Sequence, residues 1–341
     1  MSSGWGQYHR PVRSRLAKLT DVLQLTRFAT AFAAVGNVWL VILWTRGTPE
    51  ELAGMAEGTP LKTAPLIVLL LGGAVAAIGL YAFTLGLNDI VDRRRDRALG
   101  EDRPLPNGRI GLDLATIIVA GSVFAAVLGA SFFGTAAVRL TVVVAAAALA
   151  FNVLGKFVPG AGPLLLGLIF AGHMVIPNIQ LQFVWPVIVV MTHALAIEWA
   201  AWIIGRRSPS MSRRAVAAIT LGWLFWAAVI LLIGSYNASG LADWPAWPNP
   251  IAALLIAALA VLFVIYMTHK VRATGPGPRA AEKLRRYGAI WLVLYAVAWV
   301  LTEGLWVATG ILAALGVIGL VVMTIAREAY HLAHQPMGYR R

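Results

Sequence analysis

A short charged stretch at residues 88–96 carries the side chains best suited to chemistry. It reads Asn-Asp-Ile-Val-Asp-Arg-Arg-Arg-Asp and directly follows a long apolar run. If a helix continues through it, Asn88, Asp92 and Asp96 share one face. Asp89 lies beside them, and carboxylates held so close repel one another unless a cation lies between them. Oxygen ligands of this kind suit Mg²⁺, so the stretch predicts a magnesium site shared with phosphate oxygens.

Arginines separate the acids of this stretch, and Arg93 directly follows one of the aspartates. A guanidinium group can hold a phosphate through two parallel hydrogen bonds, which suits an anionic substrate. The alternative is a solvated helix end whose charges pair among themselves, because charge runs are common after membrane spans.

The composition is that of a membrane protein. Hydrophobic residues make up 59% of the 341 residues and charged residues 13%, and uncharged runs of about 20 residues recur. Spans and short connections use nearly the whole length, so no separate soluble domain is expected. The absence of cysteine excludes disulfides, thiolate metal sites and cysteine nucleophiles. The net charge of +13 fits loops that face anionic lipid, and no nucleic-acid partner is expected.

Hydrophobic runs predict ten membrane spans. They cover 28–45, 64–87, 114–133, 136–154, 164–179, 183–204, 215–233 and 251–268, with two more inside 289–326 separated by a turn at Glu303 and Gly304. Loops on the side of the acidic stretch are rich in Lys and Arg, whereas those near 50–57 and 235–250 carry acidic charge. The positive-inside rule therefore places both ends and the acidic stretch in the cytoplasm. No cleavable signal peptide is expected in the basic segment 1–27.

A loop with a fixed bend follows the acidic stretch. Residues 103–110 read Arg-Pro-Leu-Pro-Asn-Gly-Arg-Ile. Two prolines and a Pro-x-Gly turn cannot remain helical, so we expect the loop to fold back rather than continue. Lys156, between the fourth and fifth spans, is expected on the same side of the membrane as the acids.

The fifth and sixth predicted spans contain three ionisable residues, His173, His193 and Glu198, and such residues are functional candidates. For His173 and His193 we favour a buried hydrogen-bonded role, because neither has a partner at metal-ligand spacing. Glu198 lies about two turns before the end of the sixth span, where an unpaired carboxylate is costly. It is therefore the stronger candidate for a site residue.

The acidic stretch and the bent loop together resemble the UbiA superfamily of intramembrane prenyltransferases. The pattern Asn-Asp-x-x-Asp-x-x-x-Asp, its place after the second span and the Pro-x-Gly loop all match. The resemblance implies an all-α polytopic membrane bundle of about nine or ten transmembrane helices around a central apolar cavity. The prenyltransferase domain would cover 28–304, with 305–341 as an additional helix and basic tail.

The resemblance also implies a function. Members bind a polyprenyl diphosphate, with Mg²⁺ bridging the diphosphate to acidic residues, and transfer the prenyl group to an aromatic or polar lipid-precursor acceptor. The implied metal ligands are Asn88, Asp89, Asp92 and Asp96, the implied catalytic residues are Asp92, Asp96 and Lys156, and Arg93, Arg103, Arg109 and Lys156 would neutralise phosphate charge. Arg27 and Asn37 are candidates for acceptor binding. We expect a multi-pass protein of a prokaryotic inner (plasma) membrane, with a cytoplasmic site and no obligate protein partner.

The chain departs from the superfamily at the second acidic motif. Where an Asp-x-x-x-Asp is usual, before Gly205, the sequence has Ile197 and Ala201. Glu198 lies next to the first position, about 100° around a regular helix, so it could substitute only if the helix were shifted. Arg206 or Arg207 could instead supply a cation that holds the diphosphate without metal.

Two alternatives stay open. A UbiA-type terpene cyclase would trap the carbocation intramolecularly, which Trp199, Trp202, Trp223 and Trp226 would favour because aromatic faces stabilise cations. For these tryptophans we rank lipid-facing packing or interface anchoring higher. A non-catalytic prenyl-lipid binding or transport protein could retain one phosphate site, although broken helices in corresponding halves are typical of transporters.

Overall fold

The computed structural model describes residues 9–49, 59–238 and 248–334 of the chain. Within these ranges the protein consists of helices and turns, with no strand. The α-helices are, in order, α1 His9–Leu25, α2 Phe32–Gly47, α3 Pro60–Thr63, α4 Leu66–Ala98, α5 Leu112–Ser131, α6 Thr135–Val153, α7 Ala161–Met174, α8 Trp185–Ile204, α9 Arg213–Asn237, α10 Pro250–Thr274, α11 Pro278–Thr302 and α12 Trp306–His334. The acidic loop residues 50–57, the region 239–247 and the tail 335–341 lie outside the described residues.

Each predicted span corresponds to one helix. Among the described residues, eight helices are long and apolar enough to cross a membrane, and α2 and α7 are shorter apolar helices. The helix α7 ends at Met174 rather than near 179, because Pro177 lies in the turn that follows and lacks the N–H that a helix needs. The predicted break at Glu303 and Gly304 is confirmed, with Gly304 at a φ of 72° between α11 and α12. The all-α membrane bundle is therefore confirmed.

The helix α4 runs without a break for 33 residues, from the apolar span through the acidic stretch. Its apolar part packs closely on α5. A Cβ atom at Gly79 would lie 2.6 Å from the carbonyl oxygen of Ser122, so the glycine allows the two backbones to approach. This contact holds α4 in place where it carries the acids beyond the apolar core.

A helix that the hydrophobic pattern did not predict precedes the first span. The segment His9–Leu25 forms α1, and the chain turns sharply at Arg27, whose φ is 47°. The helix α12 packs against α1 and α2, and Gly319 lies against Phe32. From residue 9 onwards, the basic N-terminal segment is thus part of the folded body, at the end of the bundle that carries the acidic stretch.

Candidate active site

Three aspartates of α4 form the centre of the site. Asp89, Asp92 and Asp96 are 2%, 8% and 5% exposed, although they lie beyond the apolar part of the helix. Burial of several carboxylates is unfavourable unless cations or hydrogen bonds compensate each one. The arrangement therefore excludes the solvated helix end that the sequence left open.

Arg103 from the bent loop lies between two of these carboxylates. Its Nη1 atom is 2.9 Å from Oδ1 of Asp89 and 2.9 Å from Oδ2 of Asp96. Burial alone would lower the pKa of Arg103, but the charges of Asp89 and Asp96 outweigh it, so the pKa is raised. The loop does fold back, as predicted, and it places a permanent positive charge between the acids.

Lys156, in the turn between α6 and α7, compensates the third aspartate. Its Nζ atom is 2.8 Å from Oδ2 of Asp92 and donates to Oδ1 of Asn88 at 3.0 Å. Lys156 is itself only 7% exposed, so these two side chains rather than solvent stabilise its charge. The prediction that Lys156 lies on the side of the acids is confirmed.

The bent loop is itself held by α1. Arg109 pairs with Asp21 of α1 at 3.0 Å and with Asp102 at 2.7 Å, and donates to Gln24 at 3.2 Å. Tyr330 of α12 donates to Asp102 at 2.8 Å. Arg109 therefore pairs with acids of α1 and of the loop itself and positions the loop, while its predicted phosphate contact stays a prediction.

The other predicted binding residues are spread around this centre. Arg27 is closest, with Nη2 at 3.6 Å from Oδ1 of Asp89. Arg93 is half-buried and Arg206 is exposed, and neither pairs with an acidic side chain in the described part of the chain. Asn37 is 1% exposed inside the bundle, and its amide nitrogen and oxygen have no hydrogen-bond partner among the described residues. Of these four, the structure brings only Arg27 to the carboxylates.

Glu198 forms a second charged cluster at the same end of the bundle. It is 2% exposed, and Arg285 of α11 approaches it with Nε at 2.6 Å from Oε2 and Nη2 at 3.0 Å from Oε1. Arg207 donates to Oε1 at 3.1 Å. A buried carboxylate needs a cation, so the sequence predicts that Glu198 has a basic partner. It does not identify Arg285, because that requires knowing that α11 lies beside α8.

The positions of the missing second motif are packed rather than open. Ile197 and Ala201 are 8% and 0% exposed and lie in an apolar cluster with Ala281 and Leu284 of α11. The helix α8 is continuous from Trp185 to Ile204, so the helix distortion that would move Glu198 into their place is not present there.

The aromatic and histidine residues have mainly structural contacts. Trp202 is 2% exposed, so of the two roles expected for it, lipid-facing packing is wrong. Its indole donates to the carbonyl of Pro209 at 3.0 Å, and its ring lies 5.4 Å from the guanidinium of Arg207. His173 and His193 each contact a backbone carbonyl, of Ala77 at 3.4 Å and Gly288 at 3.0 Å. Both histidines are hydrogen-bonded as predicted, but only His173 is buried, whereas His193 is half-buried.

The donor set of the first cluster suits a hard divalent cation. No group of three His, Cys, Asp or Glu side chains in the described ranges lies close enough to hold a metal ion. Magnesium, however, is usually bound by one or two carboxylates together with substrate phosphates. Arg103 contacts one oxygen of Asp89 and one of Asp96, so each carboxylate keeps its second oxygen for a cation. The second cluster does not fit a metal, because both oxygens of Glu198 are bonded to guanidinium groups.

A bundle of apolar helices with a buried cluster of acidic and basic side chains at one end defines a polytopic membrane protein with a candidate active site. The UbiA prenyltransferase family profile matches residues 38–285, which is more than half of the chain. The chain therefore belongs to the UbiA prenyltransferase family, and the resemblance seen in the sequence is confirmed. Members of this family are prenyltransferases.

Solved structures of other family members are similar to this chain. A UbiA homologue from Aeropyrum pernix K1 is 19% identical, with a TM-score of 0.50 over 80% of this chain and 96% of that one. A digeranylgeranylglyceryl phosphate synthase is 18% identical, with a TM-score of 0.49 over 83% and 98%. A homologue from Archaeoglobus fulgidus bound to DMAPP and Mg²⁺ is 13% identical, with a TM-score of 0.42 over 91% and 99%. The first of these supports the fold. No curated protein sequence matches the chain.

Proposed function

We propose that this protein is a Mg²⁺-dependent prenyltransferase that moves a polyprenyl group from its diphosphate to an aromatic or polar lipid-precursor acceptor. The observation that carries the proposal is the buried row Asp89, Asp92 and Asp96, each compensated by a cation from another segment. A stable apolar bundle needs no such row, because buried ion pairs contribute little net stability. A site that binds a diphosphate through Mg²⁺ does need carboxylates, because they hold the metal.

The reaction breaks the allylic carbon–oxygen bond of the prenyl diphosphate. The electron pair leaves with the diphosphate, a nucleophilic atom of the acceptor forms the new bond to the prenyl carbon, and the acceptor loses a proton. When bound, Mg²⁺ would supply charge neutralisation for the leaving diphosphate, with Asn88, Asp89, Asp92 and Asp96 as the residues that hold it. The apolar helices exclude water, which would otherwise capture the cationic carbon.

The cations of this chain have distinct roles in the proposal. Lys156, bonded to Asn88 and Asp92, holds a positive charge beside the departing group. Arg103 is anchored by the loop and neutralises Asp89 and Asp96. Arg27 lies at the edge of the same cluster, where it and Asn37 are candidates for acceptor binding, while Arg93 and Arg206 stay candidates for phosphate contacts.

The proposal extends to location. Basic loops on the side of the site and acidic loops opposite favour a cytoplasmic active site in an inner (plasma) membrane. The transferase unit would extend over 28–304, with 305–341 adding the last helix and a basic tail. The lipid bilayer is the expected partner, and a protein partner is not required.

The direct test is incubation of the purified protein with geranylgeranyl diphosphate and Mg²⁺, with and without a mixed acceptor pool. Pyrophosphate release and lipid products are followed by mass spectrometry. Acceptor-dependent release supports the proposal, and the product mass identifies the acceptor. Acceptor-independent release with a cyclic hydrocarbon identifies a terpene cyclase instead. Binding without release identifies a non-catalytic prenyl-lipid binding protein.

The carboxylate row is tested with Asp92→Asn, which removes one charge at nearly constant volume. We expect Mg²⁺-dependent pyrophosphate release to fall by about 100-fold or more, because the leaving group loses its compensated site. Asp113→Asn, at an exposed position early in α5, is the matched control. Equal turnover of Asp92→Asn and the control would refute the proposed metal and diphosphate site.

A further inference from the structure

The cluster of Glu198, Arg207 and Arg285 has one more positive charge than is needed to neutralise Glu198. Two guanidinium groups hold one carboxylate, and the side chains of Arg207 and Arg285 stay 31% and 32% exposed while that of Glu198 is 3% exposed. A cluster built only to lock α8 to α11 would need one arginine, since a bidentate pair already satisfies both carboxylate oxygens. The cluster therefore has a net positive charge and unused N–H donors.

Several contacts hold Arg207 in place in addition to Glu198. Its backbone N–H donates to the carbonyl of Trp202 at 3.2 Å, and its guanidinium lies 5.4 Å from the centre of the Trp202 ring. The indole in turn donates to Pro209. An arginine fixed by its backbone, an aromatic face and a carboxylate has lost much of its rotamer freedom before any ligand binds, which favours binding.

The cluster and the α4 carboxylates influence each other electrostatically. Burial lowers the pKa of Arg207, the positive charge of Arg285 lowers it further, and Glu198 opposes both. Smaller effects come from Arg95 and Asp92 of α4, and on the other side the charge of Glu282 of α11 acts on Arg103. Both clusters lie at the same end of the bundle, where α4 and α8 end and α11 begins, with carboxylates on α4 and guanidinium groups on the side of α8 and α11.

We propose that Arg207 and Arg285, positioned by Glu198, form a metal-free binding site for a diphosphate group, opposite the carboxylates of α4. The proposal rests on the proposed function for the identity of the anion. The apolar packing of Ile197 and Ala201 leaves no carboxylate on this side to hold a second cation. Guanidinium forks supply the positive charge directly, by bidentate hydrogen bonds to phosphate oxygens. Glu198 is a positioning residue and does not contact the ligand.

The test is binding of inorganic pyrophosphate to the full chain in lipid nanodiscs, by calorimetry, in EDTA and then at increasing Mg²⁺. We expect the metal-free dissociation constant to rise by about tenfold or more in Arg285→Gln and Arg207→Gln. Arg286→Gln, an exposed neighbour on α11, removes the same charge and should bind as the native chain does. Arg285→Lys keeps the charge but loses the fork, so its affinity should be reduced.

Glu198→Gln separates positioning from metal binding. Glu198→Gln should weaken metal-free pyrophosphate binding. It should not change the Mg²⁺ concentration that gives half of the maximal enhancement of binding, whereas Asp92→Asn should raise that concentration. A shift of that midpoint in Glu198→Gln as large as in Asp92→Asn would make Glu198 a metal ligand and overturn the proposal. No metal-free binding by the native chain, or equal losses in Arg285→Gln and Arg286→Gln, would also overturn it.

A purely structural ion lock is a further outcome of the same series. In that case Arg285→Gln and Arg207→Gln would lower the melting temperature while pyrophosphate binding stayed intact, and the proposal would be wrong. None of these readouts depends on turnover. A failure to transfer prenyl groups would therefore refute the proposed function and leave this binding result to be judged separately.

Discussion

At the scale of single residues, the site is organised by the need to compensate buried charge. Asp89, Asp92 and Asp96 are buried, and the cations that compensate them come from the loop that directly follows α4 and from the turn between α6 and α7. A lysine in such a position differs from an arginine, because burial can shift a lysine towards neutrality. This difference gives the site a pH dependence that can be measured.

The first prediction concerns Lys156. Its Nζ atom, which contacts Asp92 and Asn88, carries a titratable charge, unlike the guanidinium group of an arginine. Turnover should therefore fall at alkaline pH, as the ammonium form is lost. In Lys156→Arg this decline should vanish, because the guanidinium stays charged. The measurement is the pH profile of pyrophosphate release; the same alkaline limb in both proteins would show that Lys156 is not the titrating group.

The second prediction concerns Arg103, whose Nη1 atom lies between Asp89 and Asp96. In the absence of substrate, this nitrogen competes with a divalent cation for the same oxygens. Arg103→Gln should therefore lower the Mg²⁺ concentration that is needed to raise the melting temperature. Turnover should fall in the same variant, because a phosphate-neutralising charge is lost. Arg94→Gln, at an exposed position on α4, is the control. An unchanged Mg²⁺ requirement in Arg103→Gln would contradict the competition.

At the scale of elements, the bent loop matters because it carries Arg103. The loop turns at Gly108, whose φ is 70°, and the N–H groups of Arg109 and Ile110 both donate to the carbonyl of Pro104. Arg109 then ties the loop to Asp21 of α1. Loop conformation and site charge are therefore coupled through the backbone.

The third prediction follows from this turn. Gly108→Ala should strain the left-handed position by about 1–2 kcal/mol, lower the melting temperature and slow pyrophosphate release. Gly108→Asn is the matched variant, because asparagine tolerates this conformation better. It should retain more stability and turnover than Gly108→Ala. No steric clash contributes, since no heavy atom of the described chain lies within 4 Å of a Cβ at this position.

Helices were predictable at this scale because apolar runs about as long as a bilayer is thick have few alternatives. Their side-chain partners were less predictable. The pairing of Glu198 with Arg285 requires α8 and α11 to be neighbours, as their apolar cluster of Ile197 and Leu284 shows. The helix α1 was missed because its polar sequence carries no span signal, although Asp21 and Gln24 hold the loop through Arg109.

At the scale of the whole molecule, the site residues converge although they come from distant parts of the chain. Arg27, Asp89, Arg103, Lys156 and Glu198 all lie at one end of the bundle. Counting spans and loop charges predicted this convergence for Lys156, because each pair of spans returns the chain to the same side. Whether that end faces the cytoplasm is a separate prediction, and it rests on the charges of the loops.

The fourth prediction tests that direction, using the natural absence of cysteine. A single cysteine placed in the tail after 334 should be shielded from an impermeant thiol reagent added to whole cells, and should label after the cells are opened. Ser239→Cys, in the loop predicted to lie outside, should label in whole cells. The reverse pattern would invert the topology, and labelling of both positions in whole cells would favour nine spans.

The unbroken length of α4 has a consequence for how products separate. Its 33 residues extend about 50 Å, whereas the hydrocarbon layer of a bilayer is about 30 Å thick. The acidic end therefore reaches past the lipid, while the apolar part stays within it. A reaction of the proposed kind would cleave its substrate at the membrane–water interface. The hydrophilic fragment can then diffuse into solution, while the apolar product stays in the membrane. One continuous helix would thus separate the two products by solubility as the bond between them breaks.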